Sequence, residues 1–486
     1  MKSTRKPKRW YRPRNVFLGT LLIALGLIGS QVHFALTARP GKARNVNPEL
    51  ERLVAEHAPW GNEPGNAWET LARIDTVVDE IDLALKESLY DREWVIGDDG
   101  KPTLSEYAAE RYRMLAESEF DELIAEYARA PAFGPIFERG VLFNDHELNK
   151  LGSMRRAVDA LRLQMSVATH RGAEVEGVID RFEIILILAH RTAARPDMLS
   201  YLCALSVVDV AMTQMAAALI NYELDTAQFA AIRAAMTENL PLPSPVMAVE
   251  YERLTFHQLV DLMHTDDGDG DGRFLPSELN THTESGHGRL ANLLHHAVMS
   301  KAEALNQGDA CFDVVREIMT SPRSERPALQ AKLERIRNGG ERPNPVLAGL
   351  TYDYSKAARA IDGSLTLIRG LRIMVAIEEF AAAHGSYPNR LEELVPAHLS
   401  EVPDDPFSEA AFGYRRLDAQ DPATGATGYL LWSAGADGAN DNGVPPTVLS
   451  VDDDGVARQK VRSTKALKDG HAGTDFIINL PRQYDR

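Results

Sequence analysis

The chain has 486 residues, 44% of them hydrophobic and 25% charged, which is enough apolar material to bury real cores in two or three domains. Its net charge is −17, and ten of its 53 basic residues but none of its 70 acidic ones precede Asn45, so the remainder stands near −27. Such a surface repels nucleic acid and attracts cations, which excludes a DNA-binding role.

The first feature along the chain is Asn15 to Ala38, an uncharged run of 24 residues. It is long enough to span a bilayer as one helix. Seven positive charges precede it, which predicts a cytoplasmic N-terminus and an extracytoplasmic bulk at a bacterial inner membrane. A cleaved signal peptide is the alternative, but Leu36 stands where cleavage prefers a small residue. Arg39 to Pro64 reads as a juxtamembrane linker.

From Trp68 to about Glu238 the apolar residues recur at helical spacing. Asp75 to Tyr90, Ser105 to Tyr127, Asp145 to His170, Ala173 to Arg191 and Asp197 to Tyr222 are the expected helices of a bundle at 65–240. Breaks fall at Pro131, Pro135, Gly172, Pro196 and the Pro241, Pro243, Pro245 series. Met198 to Ile220 is apolar enough to suggest a second membrane span, yet Asp209 and Gln214 inside it favour a buried bundle helix. Cys203 and Cys311 could form a disulfide in an oxidising compartment, although two small buried hydrophobes are the simpler expectation.

A periodic apolar segment from Val246 to Met263 leads into Asp267 to Glu278, DGDGDGRFLPSE. Asp267, Asp269 and Asp271 fall at positions one, three and five of a twelve-residue loop, Gly272 at six and Glu278 at twelve. Calcium takes six to eight oxygens at flexible geometry, and alternate residues of a tight loop can aim them at one centre. This spacing resembles the EF-hand calcium loop, which implies a backbone carbonyl ligand from Arg273 at position seven and a bidentate Glu278. Leu275 at position nine leaves its vertex to water. No second loop of this kind occurs, so weak binding is expected, on the order of 0.1–1 mM. Six of the fourteen histidines (His257, His264, His282, His287, His295 and His296) lie close by in sequence. Their spacing fits no zinc motif, and structural or solvated roles are the simpler reading.

Past the Gly339, Gly340, Pro343, Pro345 boundary the texture changes to one long helix, Tyr354 to His384, ending at Gly385. Strand-like pieces follow at Phe412 to Arg416, Tyr429 to Trp432, Thr447 to Val451 and Phe476 to Leu480. Gly385-Ser-Tyr-Pro388, Leu391, Leu394, Asp404-Asp-Pro-Phe407, Gly413-Tyr414 and Tyr429-Leu-Leu-Trp-Ser-Ala-Gly-Ala-Asp-Gly438 together resemble the globular part of type II secretion major pseudopilins. The resemblance covers about a quarter of the chain. It implies one helix packed on a small antiparallel sheet and a calcium loop over Ser433 to Gly443, with Asp437 and Asp441 as side-chain ligands. The same residues equally fit a glycine-rich turn. The anchor lacks the acidic residue of a pseudopilin, and about three hundred residues separate it from this segment, which implies a domain reused for binding or spacing.

No HExxH, GxSxG, Walker A or GxGxxG pattern occurs, and the pairs Glu378-Glu379 and Glu392-Glu393 are adjacent and point to different faces. The expected fold is therefore mainly α: a transmembrane helix, a helical bundle with a single EF-hand at 241–345, and a small α+β pseudopilin-like domain at 346–486. The expected function is a non-enzymatic, membrane-anchored, extracytoplasmic Ca2+-binding protein that binds or scaffolds an envelope partner. The alternatives are a component of a secretion or pilus-like system, or a metal-dependent hydrolase working near the histidines.

Overall fold

The computed structural model describes residues 28, 30–57, 67–85, 94–96, 102–130, 145–266, 272–276, 298–339, 342–349, 354–445, 447–451, 457–461 and 475–479. Most of the expected span falls outside these residues; within them, 30–37 are helical, and Ile28 and Leu36 are exposed.

The chain is mostly helical, with a small antiparallel sheet region near its C-terminus. The helices are α1 Asn47–His57, α2 Ala67–Leu85, α3 Glu106–Glu117, α4 Phe120–Arg129, α5 Asp145–Arg171, α6 Val175–Ala193, α7 Met198–Asn221, α8 Thr226–Asn239, α9 Pro245–Met263, α10 Lys301–Thr320, α11 Arg326–Asn338, α12 Pro345–Gly349 and α13 Tyr354–His384. α1 lies inside the segment expected to be a linker and buries Leu50, Leu53 and Val54. The single helix expected over Ser105 to Tyr127 divides at Ser118, whose side chain accepts from the Phe120 amide and donates to the Leu115 carbonyl. α8 starts with a capping box in which Asp225 and Gln228 satisfy each other's backbone amides. α13 has the bounds read from the sequence, and Gly385 at its end adopts φ +72°.

Two compact units form, and they cut across the serial domain boundaries expected from the sequence. The smaller comprises residues 1–46, 253–314 and 332–352; the larger comprises 47–252, 315–331 and 353–486. The larger unit has one core. α7 packs against α6 and α13, while α5 packs on α2, α6 and α7. Phe120, Tyr127, Leu161, Phe182 and Met215 of the bundle share this core with Leu371, Met374, Tyr429 and Leu431. The bundle and the C-terminal segment therefore form one hydrophobic body. α7 has the length and composition of a membrane span, but 67% of its most apolar window is buried inside the fold. Its Asp209 carboxylate accepts from Ser364 of α13 at 2.6 Å, so the polar residue that counts against a membrane span ties two core helices.

The sheet region carries β5 Gly413–Arg416, β6 Tyr429–Ser433 and β9 Phe476–Ile477 in the order β5-β6-β9, all antiparallel. Preceding them are two short hairpins, β1 Trp94–Ile96 with β2 Pro102–Leu104 and β3 Asp404–Asp405 with β4 Ala410–Ala411. A further hairpin pairs β7 Thr447–Val451 with β8 Ala457–Val461. α13 packs on β6 and β3.

Asp405 joins these parts. Its carboxylate is 1% exposed and accepts hydrogen bonds from Ser433 Oγ (2.9 Å), the Ala434 amide (2.9 Å), the Phe407 amide (3.2 Å), Ser408 Oγ (3.2 Å) and Thr366 Oγ1 of α13 (3.5 Å). Beside it, Arg326 holds the buried Asp362 of α13 with both guanidinium arms, Nη2 to Oδ1 at 2.9 Å. Arg323 donates to the Ala436 carbonyl and lies over the Phe407 ring. Asp405→Ala would leave several buried donors unsatisfied and is expected to destabilise by at least about 3 kcal/mol. Asp404→Ala, on the exposed neighbour, is expected to change stability by no more than about 0.5 kcal/mol. Urea unfolding of the two variants measures the contrast.

Candidate metal centres

In the smaller unit, α9 from Arg253 onward and α10 up to Val314 run antiparallel and are laced by charge. Arg253 Nη2 contacts Asp313 at 2.6 Å and His257 Nε2 contacts Asp309 at 2.7 Å. Asp261 faces Lys301 Nζ at 2.9 Å and takes Arg44 Nε at 2.7 Å, with the Arg44 amide also donating. Burial works against ionisation of Asp261, but the hydrogen bonds from Arg44 and Lys301 outweigh it and bring its carboxyl down to about 2.

The base of the EF-hand-like loop is closed just beyond this cluster. His264 and Phe274 form an antiparallel bridge, the Thr265 amide donates to the Arg273 carbonyl at 2.9 Å, and the Leu275 amide donates to Met263 at 2.8 Å. Thr265 Oγ1 accepts from the Arg273 amide at 2.9 Å, and the Lys301 amide donates to the Gly272 carbonyl at 2.8 Å. Phe274 and Leu275 are buried, and the His264 ring meets Phe274 edge-on at 5.3 Å. The apolar residue at loop position eight therefore pairs within its own chain. At Gly272 only glycine fits, because a Cβ would sit 1.9 Å from the Thr265 carbonyl oxygen.

Of the sequence-derived ligands here, Asp267, Asp269, Asp271 and Glu278 lie outside the described residues. Arg273 is described. Its side chain is exposed and reaches over the Phe34 ring, and its carbonyl already receives Thr265, leaving one lone pair for a cation. His282, His287, His295 and His296 also lie outside the described residues. His257 is tied to Asp309, and His264 is buried against Phe274 with Nδ1 facing the Val260 carbonyl. Both cysteines are free; Cys203 is half-buried and Cys311 buried.

The second loop is described throughout. β6 ends at Ser433, where Asp405 takes over its hydrogen bonding. Asp437 is exposed and its Oδ1 accepts the Ala439 amide at 3.1 Å. Asn440 Oδ1 accepts Trp432 Nε1 at 3.0 Å and the Asn442 amide at 2.9 Å. Asp475, fully buried, receives the Asp441 amide at 3.0 Å on one oxygen and the Gly443 amide at 2.7 Å on the other. Asp441 Oδ2 is buried without a hydrogen-bond partner. Burial, with Asp441 adding like charge, raises the Asp475 carboxyl above the usual range despite the amide bonds it accepts.

The structure thus groups Asp441 with Asp475, where the sequence suggested Asp441 with Asp437. The two partners are separated by 34 residues, and no local pattern marks Asp475. Among the described residues, no three His, Cys, Asp or Glu side chains gather closely enough to hold a metal ion. The oxygen-only donors fit a hard cation such as calcium, but the pair would need backbone carbonyls and water to complete six or more ligands.

No family model matches this chain, and no curated protein or solved structure matches it significantly.

Two measurements follow from these charges. Asp261 is held low, so its stabilising contribution is present above the unfolded carboxyl value near about 4 and is lost as pH falls through about 2. Asp261→Asn is expected to cost about 2 kcal/mol at neutral pH, with the difference from the unmodified chain closing across that interval. Asp475 is raised, so its contribution has the opposite sign: it is most favourable below the unfolded value and declines as pH rises through the folded one. In chelator, the stability of the unmodified chain relative to Asp475→Asn is therefore expected to decline from about pH 4 toward neutrality. Urea titrations at stepped pH read both.

Proposed function

We propose that this chain is a membrane-anchored, extracytoplasmic calcium-binding protein with a binding or scaffolding role at the bacterial envelope, in which calcium orders two loops rather than taking part in a reaction. The observation that carries the proposal is the Asp441–Asp475 pair, in which a buried, unpartnered carboxylate oxygen stands beside a second buried carboxylate on a loop of oxygen donors. A cation there would relieve both the like-charge contact and the cost of the unpartnered oxygen. The EF-hand spacing from Asp267 to Glu278 supplies the second site, and the clasp at Thr265, Arg273 and Gly272 would fix the ends of that loop. The basic N-terminus, the uncharged run after it and the exposed Ile28 and Leu36 support a single-pass anchor with the acidic bulk outside.

A second reading, a component of a secretion or pilus-like system, is favoured by one observation. The long helix α13 packs on a small antiparallel sheet, with the Asp404-Asp-Pro-Phe407 turn at their junction. The two readings differ at the N-terminus, because pilus-type processing would remove the basic segment. Mass spectrometry of membrane-bound protein that retains Lys2 to Arg14 would argue against this second reading.

Calcium at ten times its dissociation constant is expected to stabilise the chain by about 1.4 kcal/mol per site, a rise of a few degrees in Tm. Asp267→Ala or Glu278→Ala is expected to remove one share of the rise, and Asp441→Ala the other. Full retention of the calcium effect in all three variants would overturn the assignment.

A further inference from the structure

The larger unit contains a cavity of about 580 Å³ that the calcium reading does not use. It lies between the end of α7, Phe229 of α8, Glu378 on α13, and the segments that carry Tyr387 and Tyr429. Its size is that of a small-molecule site. Two carboxylates, Glu378 and Glu223, line it, and among the described residues no lysine, arginine or histidine does. Tyr387 Oη donates to Glu378 Oε2 at 3.4 Å, and the Tyr387 and Tyr429 rings lie 5.1 Å apart. Gly428 permits this arrangement: it adopts φ +77°, and a Cβ there would lie 2.2 Å from the Tyr387 ring.

A carboxylate taken from water without a cationic partner is costly, and burial brings the Glu378 carboxyl up to about 7. Protonation meets that cost in the free protein; a ligand that brings positive charge would instead hold Glu378 as the carboxylate. Aromatic faces attract cations through their ring quadrupole, most strongly where water is excluded, and Tyr222, Phe229, Tyr387 and Tyr429 supply four of them. A calcium ion would want several carboxylates converging on one centre, and among the described residues no three acidic side chains do so. An anion would meet two carboxylates. The geometry points to a binding site for a small organic ammonium ion, with Glu378 as counter-ion and the tyrosine rings as its walls.

The test is calorimetric titration of the full-length chain in detergent with tetraethylammonium and with 1,5-diaminopentane, in chelator and at constant ionic strength. Saturable binding of at least one probe is expected, weakened at least about tenfold by Glu378→Gln, the loss of one charge-assisted contact. Ala381→Trp, which places bulk in the cavity and leaves Glu378 in place, is expected to abolish binding in a chain with unchanged circular dichroism. This second variant decides the matter if Glu378→Gln fails to fold. No saturable binding of either probe up to about 10 mM, or binding that survives Ala381→Trp, would overturn the proposal. Calcium is expected not to compete with either probe; competition would place the probes in a calcium loop and would also overturn it.

Discussion

The buried carboxylate of Asp405 ties α13, the turn after β3 and the end of β6 to one another. A charged group at that depth is tolerated only when its lone pairs are filled, and five donors fill them. Those donors come from three places: the middle of α13, the turn after β3, and the end of β6. One acidic side chain therefore fixes the helix against the sheet and sets where β6 stops and its loop begins. Arg323 and Arg326 add a second layer, anchoring the segment between α10 and α11 to Asp362, Phe407 and the same loop. With its start held in this way, the loop is closed at its other end by Asp475, and Asp441 is turned inward between the two.

This arrangement explains why the larger unit has one core. A small α+β segment alone would bury little apolar surface, and such segments are marginal by themselves. Here α13 is shared: one side receives β6 and β3, and another packs on α7. The Ser364–Asp209 bond lies at that second contact, where a buried pair of polar groups sets the register between two otherwise apolar helices. α7 is consequently hydrophobic nearly all round because it is surrounded by protein, a condition that composition alone does not separate from a bilayer.

Much of the fold was legible in the sequence. The helices from Asp145 to Tyr222 and the helix Tyr354 to His384 carry periodic apolar residues bounded by Gly, Pro or acidic caps, and their observed bounds lie within a few residues of that pattern. The short hairpins at Trp94 to Leu104 and Asp404 to Ala411 were not legible, because two or three residues are too few to show alternation. The compact units were not legible for a related reason: Gly and Pro clusters mark local breaks, whereas contacts such as Arg44 with Asp261 join residues 217 apart. The candidate sites divide in the same way. The Asp267 to Glu278 spacing is a local pattern visible in the sequence, with most of its residues outside the described ones, while Asp475 reaches Asp441 only through the pairing of β6 with β9.

Trp432 provides the most direct readout of the central claim, since its indole nitrogen is hydrogen bonded to Asn440 inside the second loop. Terbium, which takes the oxygen ligands of calcium, can be titrated into the full-length chain while its emission is excited through tryptophan. The account predicts sensitised emission that calcium displaces and that Asp441→Ala greatly reduces. Emission absent from the unmodified chain, or undiminished in Asp441→Ala, would contradict it.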